Sequence, residues 1–233
     1  MSFDRIQLSQ ESLVAAIGDG WTSDQIDAVV ELLANREGRF PSGARKLPSD
    51  LVRAVQRERL IVAMLKAAAE LGYREANVQD VLDRAGVSRP TFYEHFANKE
   101  DCFLAAFDTS AERLRDKVEV AALQGGDVWR DRVRLGIEEL LRFASTEPDA
   151  ARAMIVEARA GSVDAVLRRA ELLDHFAACL DAQVRRLLPE APAFSMTTAT
   201  GIIGGVESLL PSLMYFVVLP YEGHEVASEE LAA

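Results

Sequence analysis

Apolar residues recur every three to four positions along most of the chain, and no segment alternates apolar and polar residues for long. This spacing is typical of amphipathic helices, because such positions share one helix face. The pattern therefore predicts an all-α protein. The predicted helices cover residues 8–17, 22–34, 50–71, 78–85, 89–96, 99–123, 127–146, 148–159, 162–188 and 195–217, the last bent or broken near Pro211.

Residues 35–49, NREGRFPSGARKLPS, separate the first two predicted helices from the others. Proline and glycine in this segment disfavour a helix and favour a linker. The segment also carries four basic residues, Arg36, Arg39, Arg45 and Lys46. Two interpretations stay open: a basic arm that enters a DNA minor groove, or a solvated linker.

A helix-turn-helix pattern occupies residues 77–99, NVQDVLDRAGVSRPTFYEHFANK. Asn77 and Ser88 are predicted N-caps of two short helices, because their side-chain oxygens can accept from free backbone N–H groups. Gly86 suits the left-handed backbone between the helices, and Pro90 suits the first turn of the second. This motif is a common way to place a helix in the DNA major groove.

The net charge of −11 does not fit a DNA-binding protein at first sight, but it is unevenly distributed. Residues 1–35 carry −5, residues 36–99 carry +4 and residues 100–233 carry −10. Phosphate contacts depend on local basic surface, so the sign of the motif region matters more than the total. The charge distribution is therefore compatible with DNA binding by residues 36–99.

Residues from about 61 to 107 resemble the N-terminal domain of the TetR family of transcriptional regulators. The resemblance rests on AAAELGY at 67–73 and on AGVSRPTFYEHFANKE at 85–100. Leu82 departs from the family, which usually has a small residue where the two motif helices pack closely.

The resemblance implies two domains in an all-α chain, here preceded by a segment that family members rarely have. A DNA-binding domain with three helices and the helix-turn-helix spans 49–98. A helical effector-binding and dimerisation domain spans 99–233. Residues 1–48 form an N-terminal extension of short helices and a basic arm.

The resemblance also assigns DNA contacts. Residues at the start of the first motif helix and at the end of the motif match phosphate-binding positions, whereas residues at the start of the second helix match base-reading positions. An arginine at position 89 can bind guanine through two hydrogen bonds, and Pro90 or Thr91 can contact a thymine methyl. Outside the motif, His95 and Lys99 would be ordinary solvated residues. The predicted contacts are Asn77, Gln79, Tyr93, His95 and Lys99 with phosphate, and Arg89, Pro90 and Thr91 with bases.

For the C-terminal domain the resemblance implies a pocket for a small, largely apolar effector. The candidate lining residues are large apolar side chains at helical spacing, and plain core packing is the alternative for each of them. They are Phe107, Leu114, Trp129, Phe143, Met154 and Phe176.

Three glycines, Gly201, Gly204 and Gly205, lie on or near one face of the last long helix. Small residues allow two helices to approach closely, and the resemblance implies a homodimer formed by the last helices. Tight packing within one subunit is the alternative. The interface candidates are Gly201, Ile202, Gly205, Val206, Leu209 and Leu213.

Other classes of protein lack support in the sequence. The three histidines and two cysteines show no metal-ligand spacing, catalytic set or phosphate-binding loop, so we expect neither a metal nor a cofactor. No apolar run approaches the roughly 20 residues of a membrane span, and the N-terminus lacks the pattern of a signal peptide. We therefore expect a cytoplasmic protein without membrane contacts.

These observations predict a homodimeric, sequence-specific DNA-binding regulator that reads a palindromic operator in double-stranded DNA. A repressor released by a small-molecule effector is the simplest form. One alternative is a helical protein-interaction module of the same fold without DNA binding. Another is an enzyme that uses the pocket of the helical bundle.

Overall fold

The computed structural model describes residues 49–190 and 195–222. Every regular element in these ranges is helical, which confirms the predicted all-α class. The helices predicted within residues 1–48, and the basic arm, lie outside the described residues. The elements are α1 (Ser49–Leu71), α2 (Val78–Ala85), α3 (Arg89–His95), α4 (Lys99–Leu123), α5 (Trp129–Thr146), α6 (Pro148–Arg152), a π-helical turn (Ala153–Glu157), α7 (Ala158–Ala160), α8 (Val163–Leu187) and α9 (Met196–Glu222).

The described chain forms two compact units. The first, called the DNA-binding unit after the role that its sequence predicts, contains residues 49–67 and Ala76–Phe103. The second, the C-terminal unit, contains Ala68–Glu75 together with the described residues from Leu104 onward. The predicted domain boundaries at 48/49 and 98/99 stay a prediction.

The DNA-binding unit is built on a small core of large side chains. Leu60 and Ile61 of α1, Val81 of α2 and Phe92 of α3 are fully buried. Phe92 and Phe96 pack with their ring centroids 5.9 Å apart, as their spacing of four residues predicts. Burial of such side chains contributes roughly 1.5–3 kcal/mol each, so the short helices are held by the core they share.

The C-terminal unit is built from longer helices. Helices α8 and α9 pack along each other, and both also contact α5. Alanines such as Ala153, Ala158 and Ala165 are fully buried where α8 and the segment from α6 to α7 meet. Small side chains at these positions let the helix backbones approach closely.

Two predicted elements differ from those observed. The helix expected at 148–159 runs through residues 148–160 but contains the π-helical turn, in which a wider hydrogen-bond pattern accommodates an extra residue. The helix expected at 195–217 is not broken near Pro211 and continues as α9 to Glu222, while a bend there stays a prediction. A proline within a helix removes one hydrogen bond without necessarily ending it. Among the described helices, none has the length and apolarity needed to cross a membrane.

Candidate nucleic-acid interface and ligand cavity

Helix α2 begins with a complete capping box at Asn77. The Asn77 Oδ1 accepts hydrogen bonds from the backbone N–H groups of Gln79 (2.8 Å) and Asp80 (3.3 Å). In return, the Asn77 N–H donates to Oδ2 of Asp80 at 2.8 Å. These bonds satisfy three backbone N–H donors at the helix start and fix the backbone there. The predicted phosphate-binding end of α2 is thus rigid and exposed.

The turn between α2 and α3 depends on Gly86. Its φ of 64° is left-handed, and its N–H donates to the carbonyl of Leu82 at 2.8 Å. A side chain at this φ would be strained, so glycine is the favoured residue. Leu82 itself is 5% exposed, so the larger residue at this position lies within the core of the unit.

Helix α3 is capped by Ser88, whose Oγ accepts from the Thr91 N–H at 3.3 Å. Oγ of Ser88 and Oγ1 of Thr91 also lie 2.8 Å apart, within hydrogen-bond distance. Arg89 and Pro90 are exposed on the first turn. One side of α3 is buried through Phe92, and Thr91, the third predicted base reader, is half-buried.

Arg89 has a partner from the other motif helix. Its Nη2 donates to Oε1 of Gln79 at 2.9 Å, and Nε2 of Gln79 donates to Oδ1 of Asp83 at 2.8 Å. This exposed chain joins a predicted base reader to a predicted phosphate contact. Binding of Arg89 to a base would require it to share or exchange its bond with Gln79.

Lys99 is tied to the backbone of the motif. Its Nζ donates to the carbonyl of Ala76 at 2.8 Å, and the side chain is partly buried. Because Ala76 immediately precedes the α2 cap, Lys99 holds the start of α2 in place. The predicted phosphate contact of Lys99 stays a prediction beside this structural role.

His95 is less accessible than the sequence suggested. The predicted phosphate contact needs an accessible ring, but the residue is only partly exposed, and its Nε2 is buried without a hydrogen-bond partner among the described residues. Burial, together with the charges of Arg53 and Arg57, lowers the pKa of His95 below its ordinary value. A neutral ring with a buried Nε2 is a weaker phosphate ligand than the sequence pattern indicates. In contrast, Tyr93 is 51% exposed.

The C-terminal unit contains an apolar cavity of about 170 Å³. Its wall combines residues of α4, α5, α8 and α9 with residues of the segment from α6 to α7. Four predicted pocket residues line it, and the other two do not: Phe107 is buried core, and the ring of Trp129 lies 5.9 Å from Arg130 and outside the cavity. The four predicted residues in the wall are Leu114, Phe143, Met154 and Phe176.

A cluster of partly buried charged residues forms part of the cavity wall. Glu207 of α9 accepts hydrogen bonds from both Arg159 and Arg169, and Arg169 and Glu207 line the cavity. Burial opposes ionisation of Glu207, but the hydrogen bonds and charges of the two arginines outweigh it and lower the pKa of the carboxyl group. The cluster is therefore ionised at neutral pH. No sequence pattern predicts this cluster, because its members are far apart in the chain.

The segment from α6 to α7, which contributes Arg159 to this cluster, also forms hydrogen bonds with residues 68–75. Oε2 of Glu157 accepts from the Tyr73 N–H at 2.8 Å, and Nε of Arg74 donates to the carbonyl of Ala160 at 3.0 Å. Glu157 is 7% exposed, so its bond to Tyr73 is shielded from water. Glu157 was not predicted as a functional residue, because no local sequence pattern marks a carboxylate whose partner is 84 residues away.

Some predicted dimer residues of α9 line the cavity, whereas others are exposed on the helix surface. Ile202 and Val206 line the cavity. Gly201 and Gly205 are exposed, with nothing within 4 Å of an added Cβ, and Leu209 is 61% exposed. The side chain of Leu213 lies outside the described residues. The glycines are therefore not explained by packing among the described residues.

A capped helix-turn-helix unit followed by a helical unit with an apolar cavity defines a class of helical DNA-binding regulators. Residues 60–106 match the sequence model described as "Bacterial regulatory proteins, tetR family". The match confirms the resemblance to the TetR family over residues 60–106, the part of the chain that the model covers.

Similar proteins with curated descriptions are transcriptional regulators. The chain is 32% identical over 111 residues to the HTH-type transcriptional activator FasR of Mycolicibacterium smegmatis, which covers 47% of this chain and 50% of FasR. It is 29% identical over 96 residues to a protein of Bacillus subtilis described as "Uncharacterized HTH-type transcriptional regulator YdgC", covering 40% of this chain and 49% of that one. The chain thus matches about half the length of these curated relatives.

Solved structures with the same fold include two regulators named FadR. The fatty acid degradation regulator FadR from Bacillus halodurans superposes with a TM-score of 0.53 at 18% identity, over 72% of this chain and 97% of that one. FadR from Bacillus subtilis, solved in complex with stearoyl-CoA, superposes with a TM-score of 0.52 at 18% identity, over 69% and 97%. At this identity the likeness establishes the fold.

Proposed function

We propose that this chain is a homodimeric, sequence-specific DNA-binding transcriptional regulator, most simply a repressor released by a long-chain acyl-CoA. The observation that carries the DNA-binding role is the exposed start of α3, which presents Arg89, Pro90 and Thr91 on a helix whose opposite side is anchored by the buried Phe92. The match of residues 60–106 to the TetR family supports the same role.

In this proposal α3 enters a DNA major groove and Arg89 reads a base edge. The exposed Asn77 and Tyr93 contact phosphate on either side, and such contacts fix the register without specifying sequence. Gln79 positions Arg89 through their hydrogen bond and contacts phosphate itself. His95 contributes less than these residues, because its Nε2 is buried.

Binding to genomic DNA fragments over a range of salt concentrations tests the DNA-binding role. A regulator that contacts several phosphates loses affinity steeply with salt, since each contact releases counterions. Tyr93→Phe should weaken binding to all fragments about equally, and Glu112→Gln, an exposed change on α4, serves as the control. Absence of salt-dependent binding would favour a protein-interaction module.

We infer that α9 supplies the dimer interface. Gly201, Gly205 and Leu209 are exposed on it, and the glycines leave room for a second helix to approach closely. Gly205→Trp should block this approach and reduce both dimerisation and operator binding, whereas Leu123→Trp on α4 should do neither. Sedimentation velocity measures the oligomeric state, and a dimer unaffected by Gly205→Trp would contradict this interface.

The apolar cavity supports a ligand with a hydrocarbon chain, and the bound stearoyl-CoA of one structural neighbour suggests the class. A cavity of about 170 Å³ is smaller than the roughly 300–1,000 Å³ typical of small-molecule pockets. A long acyl chain must therefore widen the cavity. A ligand shifts a conformational equilibrium only when it binds one state more tightly than the other.

Hydrogen bonds connect the cavity wall to residues 68–75 through the segment from α6 to α7. Glu207 in the wall binds Arg159, and the neighbouring Ala160 and Glu157 bind Arg74 and Tyr73. Residues 68–75 lead along the chain directly into the α2 cap. If a ligand moves α9, these hydrogen bonds would transmit the displacement to residues 68–75. This coupling is the proposed cause of DNA release.

Titration with stearoyl-CoA tests the effector class. The ligand should reduce operator binding by the native chain, and Ala144→Leu, which fills part of the cavity, should weaken that response without changing DNA affinity. Val120→Leu adds a methylene group at an exposed site and is the matched control. A response unaffected by Ala144→Leu would place the ligand elsewhere, and turnover of stearoyl-CoA would favour an enzyme.

Activation of transcription is a second candidate, since the relative FasR is described as an activator. In vitro transcription from a template that carries the selected binding site distinguishes the two. A repressor lowers the transcript level until the ligand is added, whereas an activator raises it.

A further inference from the structure

Three side chains that commonly bind metals converge in the C-terminal unit. Glu119 lies on α4, and His175 and Cys179 lie on α8. Nε2 of His175 is 2.8 Å from Oε1 of Glu119, and Sγ of Cys179 is 3.6 Å from Nε2 of His175 and 3.8 Å from Oε1 of Glu119. One nitrogen, one oxygen and one sulfur donor thus surround a common point.

The fold produces this convergence from residues that are distant in sequence. His175 and Cys179 are four residues apart, so they lie one above the other on the same face of α8. Glu119 comes from 56 residues earlier and meets them from α4. Because Glu119 is so distant from the other two residues, no closely spaced ligand pattern marks this set in the sequence.

The distances fit a tetrahedral zinc site. Zinc–ligand bonds of about 2.0–2.3 Å at tetrahedral angles place a nitrogen and an oxygen about 3.3 Å apart, and a sulfur about 3.6 Å from either. The two observed sulfur distances agree with these values. Only Glu119 and His175 would need to separate slightly, exchanging their hydrogen bond for bonds to the ion.

The contacts fit a metal site better than a catalytic relay. A cysteine–histidine–acid relay uses one ring nitrogen of the histidine for the cysteine and the other for the acid. Here both contacts go through Nε2 of His175. Convergence of three donors toward one point is the arrangement expected for ligands that share an ion.

We propose that Glu119, His175 and Cys179 bind one divalent zinc ion. Nitrogen and thiolate donors suit zinc, and three protein ligands leave a fourth position for water or another donor. Binding releases the Cys179 thiol proton to solvent as the zinc–sulfur bond forms. Because Glu119 and Cys179 also line the apolar cavity, the ion lies in the cavity wall.

Cobalt(II) is a suitable probe, because its spectrum reports thiolate ligation and tetrahedral geometry. The full chain, without a histidine tag and stripped of metal, should bind one cobalt ion and show a thiolate-to-cobalt charge-transfer band with intense visible bands. Added zinc should abolish these bands. A native chain without a charge-transfer band would overturn the proposal.

Variants assign the ligands. Cys179→Ser should remove the charge-transfer band, and Glu119→Gln and His175→Gln should each weaken zinc binding at least about tenfold, since even indirect partners of metal ligands cost that much. All three side chains are partly exposed, and thermal unfolding verifies that the variants fold. A band that persists in Cys179→Ser would contradict the site.

Two controls match these variants. Cys102→Ala removes the chain's other thiol, which is fully buried, and should keep the charge-transfer band. Glu112→Gln removes an exposed carboxylate from the same helix as Glu119 and should keep full zinc affinity. Loss of the band in Cys102→Ala with a folded chain would assign the thiolate to Cys102 and overturn the proposal. The metal titration uses no DNA, so its outcome is independent of the proposed regulatory function.

Discussion

The two compact units are stabilised in different ways. The DNA-binding unit relies on local features: side-chain caps, a glycine turn and large buried side chains such as Phe92. The C-terminal unit surrounds a cavity and places partly buried ion pairs in its wall, such as Glu207 with Arg159 and Arg169. The first arrangement favours one rigid conformation, as reading DNA requires. The second contains a cavity, and the ion pairs in its wall can exchange partners, as a response to a ligand requires.

Phe92→Ala should produce the largest effect on the DNA-binding unit. The ring is fully buried, and removing it leaves a cavity between α3 and its neighbours. We expect a loss of roughly 3–5 kcal/mol in the free energy of unfolding. Urea denaturation followed by circular dichroism measures it, with Tyr93→Phe at the exposed adjacent position as the control. A loss below about 1 kcal/mol would contradict the account of this core.

Arg89→Ala should reduce discrimination at one base position of the operator by about 1–3 kcal/mol. The arginine is exposed at the start of α3, and Gln79 holds it there. Competition binding against operators changed at single positions measures this effect. Lys99→Ala is the comparison, because loss of its bond to Ala76 should weaken binding to every sequence alike. If both variants behave alike, Arg89 does not read a base.

Glu207→Gln should destabilise the C-terminal unit by about 1–2 kcal/mol, since two arginines lose their carboxylate partner while Arg159 stays half-exposed. The pKa of Glu207 is lowered in the folded chain. Its contribution to stability is therefore present above the ordinary carboxyl pKa and is lost as the pH falls through the lowered folded value.

The Glu207→Gln variant should accordingly show a flatter fall of stability at acidic pH than the native chain. Urea midpoints measured across the acidic range test this expectation. Glu171→Gln, at an exposed position of α8, should retain the native pH dependence. An unchanged acid dependence in Glu207→Gln would mean that the carboxylate is not stabilised by its arginines.

The smallest expected effect concerns His95. Its pKa is lowered in the folded chain by burial and by the nearby arginines. A neutral ring is therefore favoured on folding, so stability is full above the ordinary imidazole pKa of about 6.5 and declines as the pH falls toward the lowered folded value. His95→Gln should remove this decline, which we expect to be below about 1 kcal/mol, and urea midpoints at mildly acidic pH measure it.

The contrast between the units also explains how far the sequence could be interpreted. Helix caps at Asn77 and Ser88 and the turn at Gly86 involve residues within a few positions of each other. These local structures were therefore predictable from the sequence. The surroundings of His95 were not, because its lowered pKa depends on burial and on the charges of Arg53 and Arg57 of α1. A local pattern does not specify which atoms of a side chain a distant helix covers.

In the C-terminal unit the sequence predicted helices but not their contacts. Leu114, Phe143, Met154 and Phe176 share the periodicity of ordinary core residues, and only the packing of several helices places them around a cavity. The charged residues of the wall were missed for a related reason. Arg159 and Glu207 are 48 residues apart, and each separately has the sequence signature of a solvated surface residue.

The central claim is that helix α3 reads DNA as part of a symmetric dimer. Selection of binding sites from random double-stranded DNA by the full chain tests it most directly. The account predicts enrichment of an inverted repeat whose half-sites lie about one helical turn (10–10.5 base pairs) or more apart. It also predicts that Arg89→Ala loses preference at one position in each half. Selection that enriches no sequence, or only a site without twofold symmetry, would contradict it.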